Sequence, residues 1–521
     1  MSKKNKQKLD LTPYEDRAPL CPHFFNGCGG CTYQKISYKK QLAIKSEEVT
    51  GLISRVYPDF EFEGIIPSPS ETGYRNKMEF TFGDSCKDGP FSLGLHQKKS
   101  FMNIVDIRDC ILVHPDMNII RNAVRDHFAP FYENGEIDFR NNRTRRGYLR
   151  HLLLRRAEKT GEILAALVTA SPEMSNVGGF DSEKEELLLT RFSGMLENLE
   201  REGNLEGKIK GILHITNDAA SDVVRSDVTR ILYGTEIISE EVLGLHFQIS
   251  PFSFFQTNTS GAELLYEKAR EYAAQAGISS SASEKTGVLF DLYSGTGTIA
   301  QLMAPSAEQV IGVEIVEEAV EAAKKSAKQN RVENVSFAAG DVLKVLDELP
   351  KPDAIILDPP REGINPKALG KILGYGVDSV VYVSCKPASL ARDLESFKIA
   401  GYQLRKAACV DMFPQTPHVE TVVLLSKGNI SSEKIRVEFD LEDMDMSDFK
   451  DRATYDEIRK WVQEKYGFHV TNLNIAQLKK KHGIIERENY NKPKTPDSHQ
   501  PGCPPEKQKA IEDALAHFQM I

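Results

Sequence analysis

In 521 residues there is no apolar run approaching the roughly 20 residues that a membrane-spanning helix needs. Nor is there an excess of positive charge. The formal net charge is −9, which excludes a wholesale nucleic-acid coat and leaves only local basic patches for such contacts. Cysteine is sparse, with eight in the whole chain, so a dense disulfide framework is excluded as well. The lysine-rich start (Lys3, Lys4, Lys6, Lys8) has no apolar segment behind it, and the chain reads as cytoplasmic.

What is present is a composition of 40% hydrophobic and 27% charged residues, that of a soluble globular protein long enough for about three domains. Three of the eight cysteines, Cys21, Cys28 and Cys31, fall within eleven residues and are interleaved with glycines that let the backbone fold tightly. Cys110, in RDCILVHP, supplies a fourth ligand. Four thiolates suit an iron–sulfur cluster or zinc, and spacing alone does not separate the two. Cys86 and Cys503 read as ordinary exposed cysteines.

Residues 33–57 read as an amphipathic helix, followed by a strand-rich region with alternating segments at 74–83, 92–97 and 101–107. Residues 140–156 hold seven arginines, and the EKTGE turn pairs 148–156 with 162–170 as a hairpin. Such a concentration in an acidic chain suggests a phosphate-contacting surface, with a solvated edge strand as the plain alternative. The 180–210 segment reads as helical. The expected organisation is a cysteine-cluster segment and helix over 1–60, a β-rich region over 61–244 that includes Cys110, a doubly wound α/β domain over 245–427, and a helical extension over 428–521. That extension opens acidic at 438–448, and its Lys479, Lys480 and Lys481 suggest an RNA-binding arm, with a solvated helix face as the plain alternative.

In that α/β stretch, strands end in residues that carry chemistry. GVLFDLYSGTGTIA ends in Asp291 and passes into Gly295-Thr296-Gly297, a tight turn that lets a ligand approach the backbone. It lacks the third glycine of a pyrophosphate-binding turn and fits a nucleoside better. Glu314 ends the next strand, placed to accept hydrogen bonds from a ribose. VSFAAGDV ends at Gly340-Asp341, and DAIILDPPREGI ends at Asp358-Pro359-Pro360-Arg361. VVYVSCKPASLARDL then puts Cys385 between a strand and a helix amino terminus, a location that faces the ligand crevice of open α/β sheets and favours a thiolate.

With SPFSFFQTN, DLYSGTGTIA, VIGVEIVEEAV, LDPPREGI, VSCKPASLARDL and DMFPQTPHVETVVLLSK in order over about 180 residues, the chain resembles the RNA uracil-carbon-5 methyltransferases. YRNKMEF, RHLLLR and the amino-terminal cysteines extend the likeness. The resemblance implies a Rossmann-like methyltransferase domain that uses S-adenosylmethionine, preceded by a β-rich RNA-binding domain with a cysteine-ligated cluster. It carries cofactor contacts onto Gln256, Tyr293, Glu314 and Asp358, with Asp341 on the adenine side. Cys385 matches the nucleophile and Glu420 the base. Cys21, Cys28, Cys31 and Cys110 resemble the [4Fe-4S] site of the ribosomal-RNA branch, which implies a monomer acting on a single-stranded or loop uridine of 23S ribosomal RNA. Transfer RNA is the alternative substrate, and an RNA-binding protein that has lost catalysis is the non-enzymatic one. The chain departs from the pattern in three places. Lys386 stands where the family commonly has Asn, the first cysteine spacing is one residue longer, and only 20 residues precede Cys21, so the small β-barrel of many relatives is expected to be absent.

Overall fold

A computed structural model describes residues 10–87, 89–100, 102–221, 226–275, 286–427, 455–482 and 504–518. The lysines at 3–8, the acidic stretch 438–448 and Cys503 lie outside the described residues. The chain forms two compact units, Met1–Asn429 and Ile430–Ile521.

The first unit starts with α1 (Tyr38–Ile53) and β1 (Glu61–Ile66). Next come β2 (Lys77–Asp84), β3 (Phe91–His96), β4 (Ile104–Asp106), α2 (Pro115–Glu133), β5 (Leu149–Arg156), β6 (Glu162–Thr169), α3 (Ser182–Arg201), β7 (Lys208–Thr216) and β8 (Val228–Gly234). A hairpin of β9 (Ile238–Val242) and β10 (Leu245–Ile249) leads to α4 (Thr259–Gln275) and β11 (Thr286–Leu292). Helices and strands then alternate through α5 (Thr298–Met303), β12 (Ala307–Glu314), α6 (Glu317–Gln329), β13 (Val335–Ala339), α7 (Val342–Val345) and β14 (Ala354–Leu357). The unit closes with α8 (Pro366–Gly374), β15 (Ser379–Ser384), α9 (Pro387–Ile399), β16 (Tyr402–Val410) and β17 (Glu420–Lys427).

Two sheets result. The larger runs β1-β16-β17-β15-β14-β11-β12-β13. Its neighbours are parallel except at β17, which is antiparallel to both β15 and β16. Successive strand residues face opposite sides, as a period of two requires. Leu289, Val310, Ile356 and Val381 enter one core with α4, while Phe290, Ile311, Ile355 and Val380 enter another with α1, α8 and α9. The second sheet, β4-β3-β2-β5-β6-β7-β8, shares the first of these cores through Leu153, Ala166 and Leu213. That common core fixes one sheet against the other. Strand order reverses between β12 and β14 on either side of β11, the switch point where such sheets open a crevice at their carboxyl ends.

The arginine-rich segment departs from both readings of its sequence. β5 lies between β2 and β6, so it is not an edge strand. Arg140, Arg150, Arg155 and Arg156 are buried. Arg150 donates to the carbonyls of Asn217, Ala219 (3.1 Å) and Ser221 (2.7 Å), and Arg140 to Ala220 O at 2.7 Å. Arg155 holds Pro251 O at 3.1 Å and Ser253 O, and Arg156 pairs with Asp116 at 2.9 Å. Only Arg143, Arg145 and Arg146 of the seven are exposed. The buried four are clamps on distant loops, because a guanidinium can satisfy several carbonyls that would otherwise be buried without donors.

The second unit comprises α10 (Tyr455–Tyr466), α11 (Asn472–Lys481) and α12 (Pro505–His517) around Ile458, Val462, Ile475, Leu478, Ile511 and Leu515. Lys479 is buried, and Lys481 pairs with Glu512 at 3.0 Å.

Candidate active site

The chemistry-bearing residues gather where the strands of the larger sheet end. After β11, Tyr293, Gly295 and Gly297 all have positive φ (69°, 54° and 75°), so the chain turns sharply into α5. A side chain at Gly295 would meet only the Phe254 ring, at 3.9 Å, so a ligand can lie against that backbone. Glu314, at the tip of β12, accepts from Gly295 N and Val316 N at 3.0 Å each, which ties it to the glycine turn. Asp341 caps α7 through Leu343 N at 2.9 Å, and it adds to the burial that chiefly raises the Tyr293 phenol. Gln256 sits in the loop that Arg155 and Asn76 hold. Asn76 Nδ2 donates to Gln256 O at 2.9 Å, and Asn258 Nδ2 donates to Met412 O at 2.9 Å.

Behind this rim is a set of acids. Asp291 is fully buried, and neither carboxylate oxygen has a hydrogen-bond partner among the described residues, although the Ala300 amide faces it closely enough to lower its pKa somewhat. Burial, then the neighbouring Asp358, pushes Asp291 up to about 8. Asp358 keeps part of its surface open, yet desolvation pushes it up to about 7. Ser294 Oγ also lacks a partner. Unpartnered buried acceptors beside an open glycine backbone suit a ligand that is cationic and donates hydrogen bonds.

Register brings the other two residues together. Ser384 of β15 pairs antiparallel with Thr421 of β17, and their chain neighbours Cys385 and Glu420 lie close enough for the Glu420 charge to raise the Cys385 thiol. Glu420 is 3% exposed, and burial, with Asp358 adding repulsion and Arg361 opposing it, lifts its carboxyl to about 8. Cys385 is half-buried and two residues before Pro387, the first residue of α9. Its thiol nevertheless stands at about 11, because burial, Glu420 and Asp358 outweigh Arg361. The helix terminus expected to favour a thiolate is thus outweighed first by burial and then by the acids that face it. Lys386, the departure from the family pattern, caps nothing with its side chain and is exposed.

Arg361 was not singled out by its sequence. It follows the two prolines of the β14 loop, which is fastened to α9 by Ser389 Oγ donating to Arg361 O at 2.9 Å. Its guanidinium is the cation that opposes the upward shifts of both Cys385 and Glu420. The signal available in the sequence was only a basic residue at the tip of a parallel strand. A separate polar cavity lined by Thr81, Asp84, Arg140 and Asn141 involves none of these residues.

Elsewhere Cys21, Cys28, Cys31 and Cys110 line a single cavity with Gly30, Gln34 and Leu95. A side chain at Gly29 would come within 2.8 Å of His96 O, so the glycines permit the close wrap. Burial, followed by smaller effects that include repulsion from the other sulfurs, lifts Cys31 to about 12 and Cys110 to about 11. Among the described residues no three acids, cysteines or histidines stand placed to hold a metal ion. The four soft donors nonetheless share this one cavity, and burial disfavours the thiolate forms of Cys28, Cys31 and Cys110.

Comparison with known proteins supplies the context. Residues 209–342 match the family described as tRNA (Uracil-5-)-methyltransferase, and residues 283–411 match a methyltransferase domain. An uncharacterised RNA methyltransferase of Caldanaerobacter subterraneus is 44% identical over 426 residues, covering 81% of this chain and 87% of its own length. One from Clostridium acetobutylicum is 45% identical over 415 residues, covering 78% and 84%. Among solved structures, the Pyrococcus abyssi tRNA (uracil-54, C5)-methyltransferase in complex with S-adenosyl-L-homocysteine superposes with a TM-score of 0.57. It is 27% identical and covers 77% of this chain and 86% of that one.

Proposed function

The chain belongs to the RNA uracil-C5 methyltransferase family, and we propose that it methylates carbon 5 of one uridine in 23S ribosomal RNA, acting as a monomer. S-adenosylmethionine, when bound, supplies an electrophilic methyl group on a positively charged sulfur. Gln256, Tyr293, Glu314, Asp341 and Asp358 would hold it, and the unpartnered acceptors of Asp291 and Ser294 fit a ligand with cationic and donor groups.

The protein's own residues then do the following. Cys385 gives its proton to solvent water and its sulfur bonds to carbon 6 of the uracil, whose carbon 5–carbon 6 double-bond pair moves to carbon 5 and the ring oxygen. Arg361, the nearby cation, favours both the thiolate and the enolate. Once carbon 5 carries the methyl group, Glu420 removes the remaining proton there. The electron pair re-forms the ring double bond and the bond to Cys385 breaks, returning the thiolate. With its carboxyl raised to about 8, Glu420 is a stronger base once ionised than an ordinary carboxylate. The ring must leave its stack to reach this pocket, so the substrate is a loop or an opened stem. The observation that supports the reading most is the Ser384–Thr421 pair of β15 and β17, with the adjoining Cys385 and Glu420 in electrostatic reach of each other.

The shared four-cysteine cavity supports the ribosomal branch: Cys21, Cys28, Cys31 and Cys110 would hold a [4Fe-4S] cluster, which would tie the amino-terminal segment to the β4–α2 connection. A second reading, transfer-RNA methylation, is favoured by the likeness to the P. abyssi enzyme. The test is mass mapping of 5-methyluridine in ribosomal and transfer RNA from cells lacking the protein. Loss of one ribosomal site supports the proposal, loss of a transfer-RNA site supports the second reading, and loss of neither refutes both.

A further inference from the structure

The connection between β16 and β17, residues 411–419, starts and ends on the paired residues Val410 and Glu420. Its tip is Gln415, which is fully buried with φ of 68°, a left-handed backbone that a residue other than glycine keeps only where its surroundings hold it. Every polar group of Gln415 is engaged, and every partner comes from residues 17–71. Its N–H donates to Gln41 Oε1 at 2.9 Å, and its carbonyl accepts from Thr32 N and Tyr33 N at 3.0 Å each. Its side-chain oxygen accepts from Arg17 Nη2 at 2.9 Å and Gln41 Nε2 at 3.1 Å, while its Nε2 donates to Glu71 at 3.3 Å. Thr32 directly follows Cys31.

Other parts of the loop are held from the same side, apart from Met412 O, which accepts from Asn258 Nδ2. Lys45 of α1 pairs with Asp411 at 2.6 Å, both fully buried, and donates to Phe413 O at 3.1 Å. Tyr74 OH donates to Pro414 O at 3.0 Å. The segment that delivers Glu420 is therefore shaped by the amino-terminal 74 residues as well as by its own sheet.

We propose that Gln415 is a positioning residue through which the four-cysteine segment sets the placement of Glu420 for proton removal. The inference rests on the roles given above to Cys385 and Glu420. It adds that whatever secures Cys31 also secures Thr32 and Tyr33, and through them the loop. A defect in Gln415 should then impair the step that uses Glu420 and spare the attack of Cys385, whose strand and helix lie outside this network.

RNA transcribed with 5-fluorouridine separates the two steps, because fluorine replaces the carbon-5 proton. Cys385 can then attack and the methyl group can transfer, but Glu420 has no proton to remove and the adduct persists. For Gln415→Ala we expect turnover on ordinary RNA to fall by about 10- to 100-fold, while the rate of adduct formation changes by less than about threefold. Arg17→Ala, which removes one bond to Gln415 and one to Gln34 O, should give a smaller loss with the same asymmetry, and serves if Gln415→Ala does not fold. Amide exchange at Thr32, Tyr33 and Gln415 should rise together in both variants. Equal losses of turnover and adduct formation would overturn the inference, as would no loss of either. Absence of any adduct with the unaltered protein would overturn the underlying roles and the inference with them.

Discussion

Replacing Glu420 with glutamine removes a charge and keeps the shape, which makes Glu420→Gln a direct probe of the pocket's electrostatics. The folded carboxyl is raised from 4.5 to about 8, chiefly by burial. A raised acid holds its proton more tightly in the folded chain than in the unfolded one. Its contribution is therefore fully present below pH 4.5 and is lost as pH rises through 8. At 1.36 kcal/mol per pH unit, the 3.5-unit difference sets a ceiling of about 5 kcal/mol on that loss. Glutamine does not titrate, so the variant's advantage should be smallest near pH 4.5, grow between pH 5 and 8, and level off above that. Unfolding entropy for a unit of this size is of order 0.9 kcal/mol per kelvin, which converts the ceiling to about 5 °C in Tm. Calorimetric melts of both proteins at pH 5, 7 and 9 measure it. A Tm difference that stays constant over this range, or a variant less stable at pH 9, would refute the account of the pocket.

Three further outcomes follow from the same structure. Lys45→Met leaves Asp411 as a buried charge without its cation, at a cost of about 3–5 kcal/mol, and should lower Tm by several degrees at pH 7; an unchanged Tm would contradict the buried pair. Anaerobic purification should give a brown protein with broad visible absorption that is lost in Cys110→Ser, and a colourless zinc protein would exclude iron–sulfur. Deletion of 430–521, a separate compact unit, should leave turnover within about twofold and weaken RNA binding in a filter assay; unchanged affinity would remove the expected RNA-binding role of the extension.

Strand tips were the legible part of this protein. Apolar β-formers broken by glycine or proline mark where a parallel strand ends, and that alone pointed to Asp291, Glu314, Asp358 and Cys385. The helix expected over 33–57 runs Tyr38–Ile53, and the hairpin expected around EKTGE is β5–β6. The arginines of 140–156 misled because composition gives charge but not direction. Their carbonyl partners at 217–221 and 251–253 lie some 60 to 100 positions away, and nothing local announces them. The thiol of Cys385 misled for a related reason. A helix start is visible in sequence, whereas the burial that outweighs it, and the carboxylates that add to it from β14 and β17, are set by the fold. Pairing of β1 with β16, which adds an eighth strand beside the hairpin that carries Glu420, joins segments over 340 residues apart and is likewise invisible to local pattern.

The central claim is covalent attack by one sulfur on a pyrimidine ring. The most direct measurement is intact-mass analysis of the protein after incubation with S-adenosylmethionine and 5-fluorouridine-substituted ribosomal RNA, followed by nuclease digestion. The account predicts a stable protein–nucleotide adduct mapped to the peptide containing Cys385 and absent from Cys385→Ala. An adduct that survives in Cys385→Ala, or none in the unaltered protein with RNA that it methylates, would contradict it.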